Sequence, residues 1–159
     1  MRKTVAVRLL VDRTAGKLGR WLRILGLDVE YVATCDEAEI ARIARQTGRK
    51  AVTRTRGLAE RLGADAILLE SEHLEEQIRQ IVNLVGKDAC DPFSRCNVCN
   101  AELKEIEKEE AKGRVPQYVY ETHDEFAVCP LCGRYYWQGT HWEHMVKRID
   151  KILGGGKDG

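Results

Sequence analysis

Two short cysteine pairs constrain the fold of this chain more than any other feature. They read CNVC and CPLC, lie 29 residues apart, and consist of Cys96, Cys99, Cys129 and Cys132. Two pairs of this kind bring four thiolates around one Zn²⁺ in a tetrahedron, with Zn–S distances of about 2.3 Å. In the second pair Pro130 fixes its own φ, and Gly133 can take the positive φ that a tight turn needs. The spacing therefore predicts a four-cysteine zinc site.

The predicted zinc is structural, because a closed set of four thiolates leaves no open coordination position for chemistry. Disulfide bonds and a redox-active C-x-x-C motif are the alternatives. The chain shows no secretion signal, which disfavours disulfides, and two pairs together disfavour a single redox motif. Cys35 and Cys90 fall outside the pattern and are predicted to be ordinary thiols.

Charge is distributed unevenly along the chain. Residues 1–63 hold 14 Lys and Arg against 7 Asp and Glu, although the formal net charge of the whole chain is only +1. A basic half is typical of proteins with a polyanion partner, whereas the alternative is that these charges only solvate helix faces. No apolar run is long enough to cross a bilayer. We predict a soluble, cytoplasmic protein with no membrane partner; the sequence does not define its oligomeric state.

Apolar β-branched segments alternate with amphipathic segments over the first 86 residues. This pattern predicts strands over 5–12, 29–33, 50–54 and 66–70, and helices over 16–26, 37–48, 57–63 and 74–86. Asp36 stands where the N-cap of the second helix belongs. Short connections between strands and helices favour a parallel sheet covered on both faces. The predicted fold is therefore an α/β domain over residues 1–90.

A small zinc ribbon is predicted over residues 91–150. Its strands are expected at 114–122 and 125–129, with a solvated loop or helix over 102–113 and a terminal helix from Thr140 or His141. Residues 151–159 are predicted to form a disordered tail.

Polar residues follow the predicted strands at their carboxyl ends, which is where open parallel sheets bind ligands. Asp12 follows the first strand, and Asp36 and Glu37 follow the second. The surrounding cations are Arg13, Lys17, Arg20, Arg54 and Arg56. Carboxylates at this edge would bind a metal or move protons, and the cations suit a phosphate backbone. The alternative for Asp12 is that it caps the helix starting near Thr14.

Two nucleotide-binding motifs are excluded. A P-loop needs a glycine at the position of Val11 and a hydroxyl at that of Leu18, and no G-x-G-x-x-G follows the first strand.

Several longer segments resemble one known family. VDRTAGKLGRWLRILGLDV, DEAEIARIAR and TGRKAVTRTRGLAERL resemble the Mut-seven C-terminal RNase-like family, a branch of the PIN-like nuclease fold. SRCNVCNAEL, RVPQYVYE and CPLCGRYYWQGTHWEHM resemble the zinc ribbon attached to that domain. The resemblance covers roughly residues 8–150 and implies metal-dependent cleavage of RNA. By position it implies Asp12 as the first acid and Asp36 or Glu37 as the second, with Mg²⁺ or Mn²⁺ at Asp12.

The chain departs from the family at one motif. The family sequence after the third strand is similar to T-R-D-R-D-L, whereas this chain reads TRTRGL. Thr55 and Gly57 thus stand where two metal-binding acids are expected. A hydroxyl is a weak metal ligand, glycine offers none, and Arg54 and Arg56 oppose cation entry. Glu60, one helical turn past Gly57, is the one substitute that the sequence offers.

Three functional hypotheses follow. The first is a metal-dependent endoribonuclease with an incomplete acid set and weak or lost activity. The second is a non-catalytic RNA-binding or ribonucleoprotein-associated module, and the third is a protein-interaction module. The resemblance favours the first hypothesis, and the TRTRGL motif favours the second. Neither identifies the RNA.

Overall fold

The computed structural model describes residues 7–154, and the chain divides into two compact units, Met1–Asn100 and Ala101–Gly159. The first unit alternates strands with helices. Its elements are β1 (Arg8–Val11), α1 (Gly16–Ile24), β2 (Asp28–Tyr31), α2 (Glu37–Thr47), β3 (Lys50–Thr53), α3 (Arg56–Leu62), β4 (Ala66–Leu68) and α4 (Leu74–Val85). The predicted order of strands and helices is confirmed.

The first unit contains a four-stranded parallel sheet with the order β2-β1-β3-β4. Val11 pairs with Tyr31 on one side and with Val52 on the other. The carboxyl ends of the strands therefore lie along one edge, which places the residues after β1, β2 and β3 near each other. The predicted parallel sheet with flanking helices is confirmed.

Helices α2 and α3 pack on the sheet through small and branched apolar side chains. The buried residues of this cluster are Leu10, Val32, Ile40, Ala41, Ala44, Ala51, Leu58 and Leu62. Ile40 and Ala44 are four residues apart and so lie on one face of α2. As predicted, Asp36 caps this helix, since its Oδ1 accepts a hydrogen bond of 3.1 Å from Ala38 N.

Amide side chains cover both outer strands of the sheet. On β4, Gln80 Nε2 donates to Leu68 O at 2.9 Å, and Gln80 Oε1 accepts from Glu70 N at 2.9 Å. On β2, Asn100 Oδ1 accepts from Val29 N at 3.0 Å. An edge strand otherwise presents unpaired backbone groups, so these two side chains stand in for a further strand.

Asp28, the first residue of β2, lies in a polar cluster. Its Oδ1 accepts from Arg49 Nη1 at 2.8 Å and from Asn100 Nδ2 at 2.7 Å. Burial raises the pKa of the Asp28 carboxyl, but the hydrogen bonds from Asn100 and Arg49 outweigh burial, and the net pKa lies below the ordinary value. The ionised carboxylate therefore stabilises the fold above the unfolded-state pKa of about 3.9, and this contribution is lost as the pH falls through the lower folded-state pKa.

We expect the Asp28→Asn variant to lose less stability than the wild type between pH 6 and pH 3, measured by denaturant unfolding. The matched control is Glu39→Gln. The pKa of Glu39 is also lowered, by the hydrogen bond from Arg42, but this pair lies at the surface and contributes little. Any metal release in acid affects both variants and the wild type alike. The difference in pH dependence between the two variants therefore reports the contribution of Asp28. Equal pH dependence in all three proteins would contradict this expectation.

The second unit contains a three-stranded antiparallel sheet and three helices among its described residues. Its elements are β5 (Lys104–Ile106), α5 (Lys108–Ala111), α6 (Gln117–Thr122), β6 (Phe126–Val128), β7 (Tyr135–Tyr136) and α7 (Thr140–Gly154). The sheet has the order β5-β6-β7, and Ile106 pairs with Phe126. The prediction of a strand within 125–129 is confirmed by β6.

The prediction of a strand over 114–122 is wrong, since this segment contains α6. Val119 is the buried residue of α6, and it packs in one cluster with Ala111, Val115 and Phe126, which lie outside this helix. Pro116 immediately precedes the helix, and a proline is tolerated there because the first helical N–H groups need no intrahelical acceptor. This packing outweighs the β-propensity of the tyrosines and valines.

The first ribbon strand instead lies in the acidic tract 102–113, which was predicted as a loop or helix; α5, in the same tract, agrees with that prediction. Ile106 packs against the cluster, while Lys104 and Glu105 are exposed. At the other end, α7 includes residues 151–154, which the predicted boundaries assigned to the tail. Residues 155–159 and the predicted start of the first strand, residues 5 and 6, lie outside the described residues.

Candidate metal centre and nucleic-acid interface

The four paired cysteines form one cluster. The Sγ atoms of Cys96, Cys99, Cys129 and Cys132 all lie within 4.8 Å of one another. Within each pair a backbone N–H points at a sulfur: Cys99 N lies 3.3 Å from Cys96 Sγ, and Cys132 N lies 3.5 Å from Cys129 Sγ. Such N–H groups stabilise thiolate charge.

The two cysteine turns, called knuckles below (residues 96–100 and 129–133), share one backbone geometry. Gly133 has φ 78°, which confirms the predicted positive φ, and Asn100 at the equivalent position has φ 70°. Gly133 N donates to Cys129 O at 2.9 Å, and Asn100 N donates to Cys96 O at 2.8 Å. Asparagine is among the few residues other than glycine that adopt this conformation readily.

This cluster fits a metal ion. Its four sulfur donors are the ligands that zinc takes in closed structural sites. Among residues 7–154, it is the only group of three or more His, Cys, Asp or Glu side chains whose ligand atoms come this close together. Cys35 is exposed and Cys90 is half-buried, and neither belongs to the cluster.

Asp12 lies at the carboxyl end of β1 and is 7% exposed. Its Oδ1 accepts hydrogen bonds from Thr14 N at 2.9 Å and from Thr14 Oγ1 at 2.6 Å. Asp12 therefore caps the turn that starts at Arg13, which was the alternative considered for it. Both contacts use the same carboxylate oxygen.

The two candidates for the second acid point in different directions. Asp36 is exposed, and its carboxylate caps α2. Glu37 is half-buried, and its Oε1 and Oε2 lie 3.1 and 3.2 Å from the place where a Cβ on Gly57 would be. Glu37 thus brings a carboxylate to the site of one missing acid, and Gly57 leaves room for it. No pattern in the sequence pointed to this pairing.

The candidate acids do not form a metal-binding group of the cysteine kind. Within the described residues, the carboxylates of Asp12, Asp36 and Glu37 do not come together in one group as the four cysteine sulfurs do. Thr55 is exposed at the N-cap of α3, and its side chain makes no capping hydrogen bond. These residues alone do not fit a two-metal centre.

The candidate RNA-binding cations are all exposed to solvent: Arg13, Lys17, Arg20, Arg54 and Arg56. Arg13 follows β1, Lys17 and Arg20 lie on α1, and the other two follow β3. Arg54 Nη2 lies 3.8 Å from Glu72 Oε2, a solvated contact that contributes little stability.

Arg23, in contrast, is not part of this exposed face. It is 2% exposed, and its Nε donates to Val29 O at 2.8 Å. Its guanidinium carbon also lies 4.4 Å from the centre of the Tyr31 ring. Tyr31 is 41% exposed, and its hydroxyl donates to Gly16 O at 2.9 Å at the start of α1. Helical spacing from Arg20 gave no warning that Arg23 would be buried.

Comparison with known proteins gives one result. The model of the Mut7-C RNAse domain family matches residues 7–149. No curated protein and no solved structure matches the chain. No helix within residues 7–154 combines the length and apolar character needed to cross a membrane. Since the match spans nearly the whole sequence, the chain belongs to the Mut7-C RNAse domain family.

Proposed function

We propose that this chain binds single-stranded RNA at the carboxyl edge of its parallel sheet and cleaves it slowly or not at all. The observation that carries this proposal is the set of five exposed cations that follow β1 and β3 or lie on α1. Exposed Lys and Arg side chains bind phosphates and hold an RNA strand without reading its sequence. Membership of an RNase family makes RNA the appropriate polyanion.

Weak catalysis is the second part of the proposal. Its support is the absence of acids at Thr55 and Gly57, and the use of Asp36 as a helix cap. Asp12 and Glu37 would supply the remaining negative charge for a Mg²⁺ or Mn²⁺ ion, which would activate water and stabilise the leaving oxygen. The zinc bound by the four cysteines would hold structure only.

Metal-dependent ribonuclease activity is the competing function, and one contact favours it. The Glu37 carboxylate faces Gly57, so the chain keeps an acid near that motif position. A cytoplasmic location belongs to the proposal as well, because unpaired thiols at Cys35 and Cys90 suit a reducing compartment. A module that binds only proteins remains the alternative if RNA binding fails.

Salt titration tests the RNA-binding proposal. We expect log K for a labelled single-stranded RNA to fall linearly with log [salt], with a slope of about −0.7 for each phosphate neutralised. The Lys17→Glu and Arg20→Glu variants should bind all sequences more weakly, and each should reduce the slope by about 0.7. Fluorescence anisotropy over a KCl series measures both quantities.

The matched control is Lys50→Glu. Lys50 starts β3, so it lies at the opposite edge of the sheet from the proposed interface. The same change of charge there should leave the salt slope unchanged. No binding at low salt, or an equal loss in all three variants, would remove the proposal.

A further inference from the structure

Two buried side chains close the outer edge of β2 at Val29. Asn100 Oδ1 accepts from Val29 N at 3.0 Å, and Arg23 Nε donates to Val29 O at 2.8 Å. Asn100 is 4% exposed and Arg23 is 2% exposed. In a parallel strand the N–H and C=O of one residue point to the same side, so both outward groups of Val29 are satisfied.

The same two side chains also contact the first knuckle: Asn100 is its last residue, and Arg23 donates hydrogen bonds to its backbone. Arg23 Nη1 donates to Val98 O at 2.9 Å and to Asn97 O at 3.3 Å. Asn97 and Val98 are the two residues between the cysteines of that knuckle. Asn100 ends the knuckle, and its φ of 70° directs its side chain to β2. The knuckle backbone and the strand edge are thus joined through Arg23 and Asn100.

Charge and hydrogen bonding make this arrangement costly to disturb. Arg23 Nη2 lies 3.9 Å from Glu30 Oε1, and Asn100 Nδ2 donates to Asp28 Oδ1 at 2.7 Å and to Glu30 Oε2 at 3.2 Å. A buried guanidinium that loses its acceptors is strongly destabilising, because the remaining charge is neither hydrated nor paired. Moving the knuckle carbonyls would impose this cost on Arg23.

We propose that metal occupancy of the first knuckle sets the local stability of the β2 edge, with Arg23 and Asn100 as the positioning residues. With Cys96 and Cys99 bound to a metal, the knuckle turn is fixed and presents its carbonyls to Arg23. Without the metal the turn loses its bond to the ion, Arg23 loses its acceptors in the knuckle, and the β2 edge opens. Arg23 is therefore a structural cation and not an RNA contact.

The consequence for RNA rests on the proposed function. Tyr31 ends β2, and its hydroxyl holds Gly16 O at the first residue of α1. Lys17 and Arg20, which we propose as phosphate contacts, lie on that helix. Opening of the β2 edge releases Tyr31, so metal loss should weaken RNA binding as well.

The second knuckle supplies a matched variant. Gly133 occupies the position of Asn100 with φ 78° and carries no side chain. Asn100→Gly therefore keeps the left-handed backbone that the turn needs, and it removes only the contacts with β2. Arg23→Lys is the second variant, since lysine keeps the charge but cannot donate to Val29 O and the knuckle carbonyls together.

Native-state amide exchange tests the proposal on the zinc-loaded full chain and on the chelated chain. In the wild type, removal of zinc should lower the protection of the Val29 amide at least tenfold, whereas β3 amides should change much less. In Asn100→Gly, Val29 should already be poorly protected with one zinc bound per chain, and chelation should have little further effect. Arg23→Lys should show the same pattern.

Unchanged Val29 protection on chelation of the wild type would overturn the proposal. So would an equal loss at β3, because the whole sheet would then respond and not its edge, and so would a normal metal response in both variants. RNA affinity should fall on chelation in the wild type but not in Asn100→Gly. If the zinc-loaded wild type binds no RNA at all, the proposed function fails while the exchange result still decides this inference.

Discussion

Replacement of Cys96 or Cys129 by serine is expected to abolish zinc binding and to unfold residues 101–154. Metal binding in small zinc modules is itself folding free energy, about 10 kcal/mol. The apolar cores of the second unit are small among its described residues: one cluster buries Ala111, Val115, Val119 and Phe126, and α7 buries Ile149 and Ile152. The first unit, with its own sheet and core, should stay folded apart from the β2 edge.

Elemental analysis and limited proteolysis measure this effect. The wild type should hold one zinc per chain and resist trypsin, whereas the serine variants should hold none and be cut within residues 101–154. Cys35→Ser is the matched control, since Cys35 is exposed and lies outside the cluster. Native protein without zinc, or a disulfide mapped between the clustered thiols, would contradict the expectation.

Thr55→Asp is expected to raise metal-dependent cleavage of single-stranded RNA at least about tenfold over a slow wild type, because an added carboxylate strengthens divalent-ion binding and transition-state stabilisation. Thr55 is exposed and its side chain makes no capping contact, so the substitution should not disturb packing. Aspartate is also a preferred N-cap residue, and capping of α3 will compete with metal binding. The gain should therefore require millimolar Mg²⁺ or Mn²⁺.

Gly57→Asp is a poorer substitution for a reason that the sequence did not reveal. Gly57 does not have a positive φ, so its backbone tolerates a side chain. Its Cβ, however, would lie 3.1 Å from Glu37 Oε1, and a new carboxylate there would be repelled by the existing one. We expect the double variant Thr55→Asp with Gly57→Asp to be no more active than Thr55→Asp alone.

Further variants test which carboxylates take part in cleavage. In the Thr55→Asp background, Asp12→Asn and Glu37→Gln should abolish the gain. Asp36→Asn should not, because asparagine still caps α2. Robust cleavage by the wild type, abolished by Asp12→Asn, would show that acids at positions 55 and 57 are not needed for activity. Glu60→Gln would then be the next variant. If Thr55→Asp is inert, the non-catalytic RNA-binding hypothesis stands.

The parallel sheet was predictable because its signals are local and agree with one another. β-branched strands, the Asp36 cap and the apolar spacing of α2 all indicate the same elements. The cysteine cluster was predictable for a different reason, since the spacing of two C-x-x-C pairs is dictated by metal coordination. Neither prediction required knowledge of long-range packing.

Long-range packing decided the features that the sequence did not predict. The segment 114–122 is rich in tyrosine and valine, yet it contains α6, whose Val119 packs into a small cluster with residues from outside the helix. Arg23 is a basic residue of α1, like Lys17 and Arg20. Unlike them it is buried, and the backbone carbonyls of residues 97 and 98 accept its hydrogen bonds. The approach of Glu37 to Gly57 likewise depends on how α2 and α3 meet.

The closed edges of the sheet bear on the solubility of newly made chains. An open outer strand is a template for pairing with the same strand of another copy, which is a route to aggregation. Gln80 blocks β4 from within the helical layer, and it needs no metal to do so. The block on β2 relies on Asn100, which is the last residue of the first knuckle. Chains made under zinc starvation should therefore associate through β2 and not through β4.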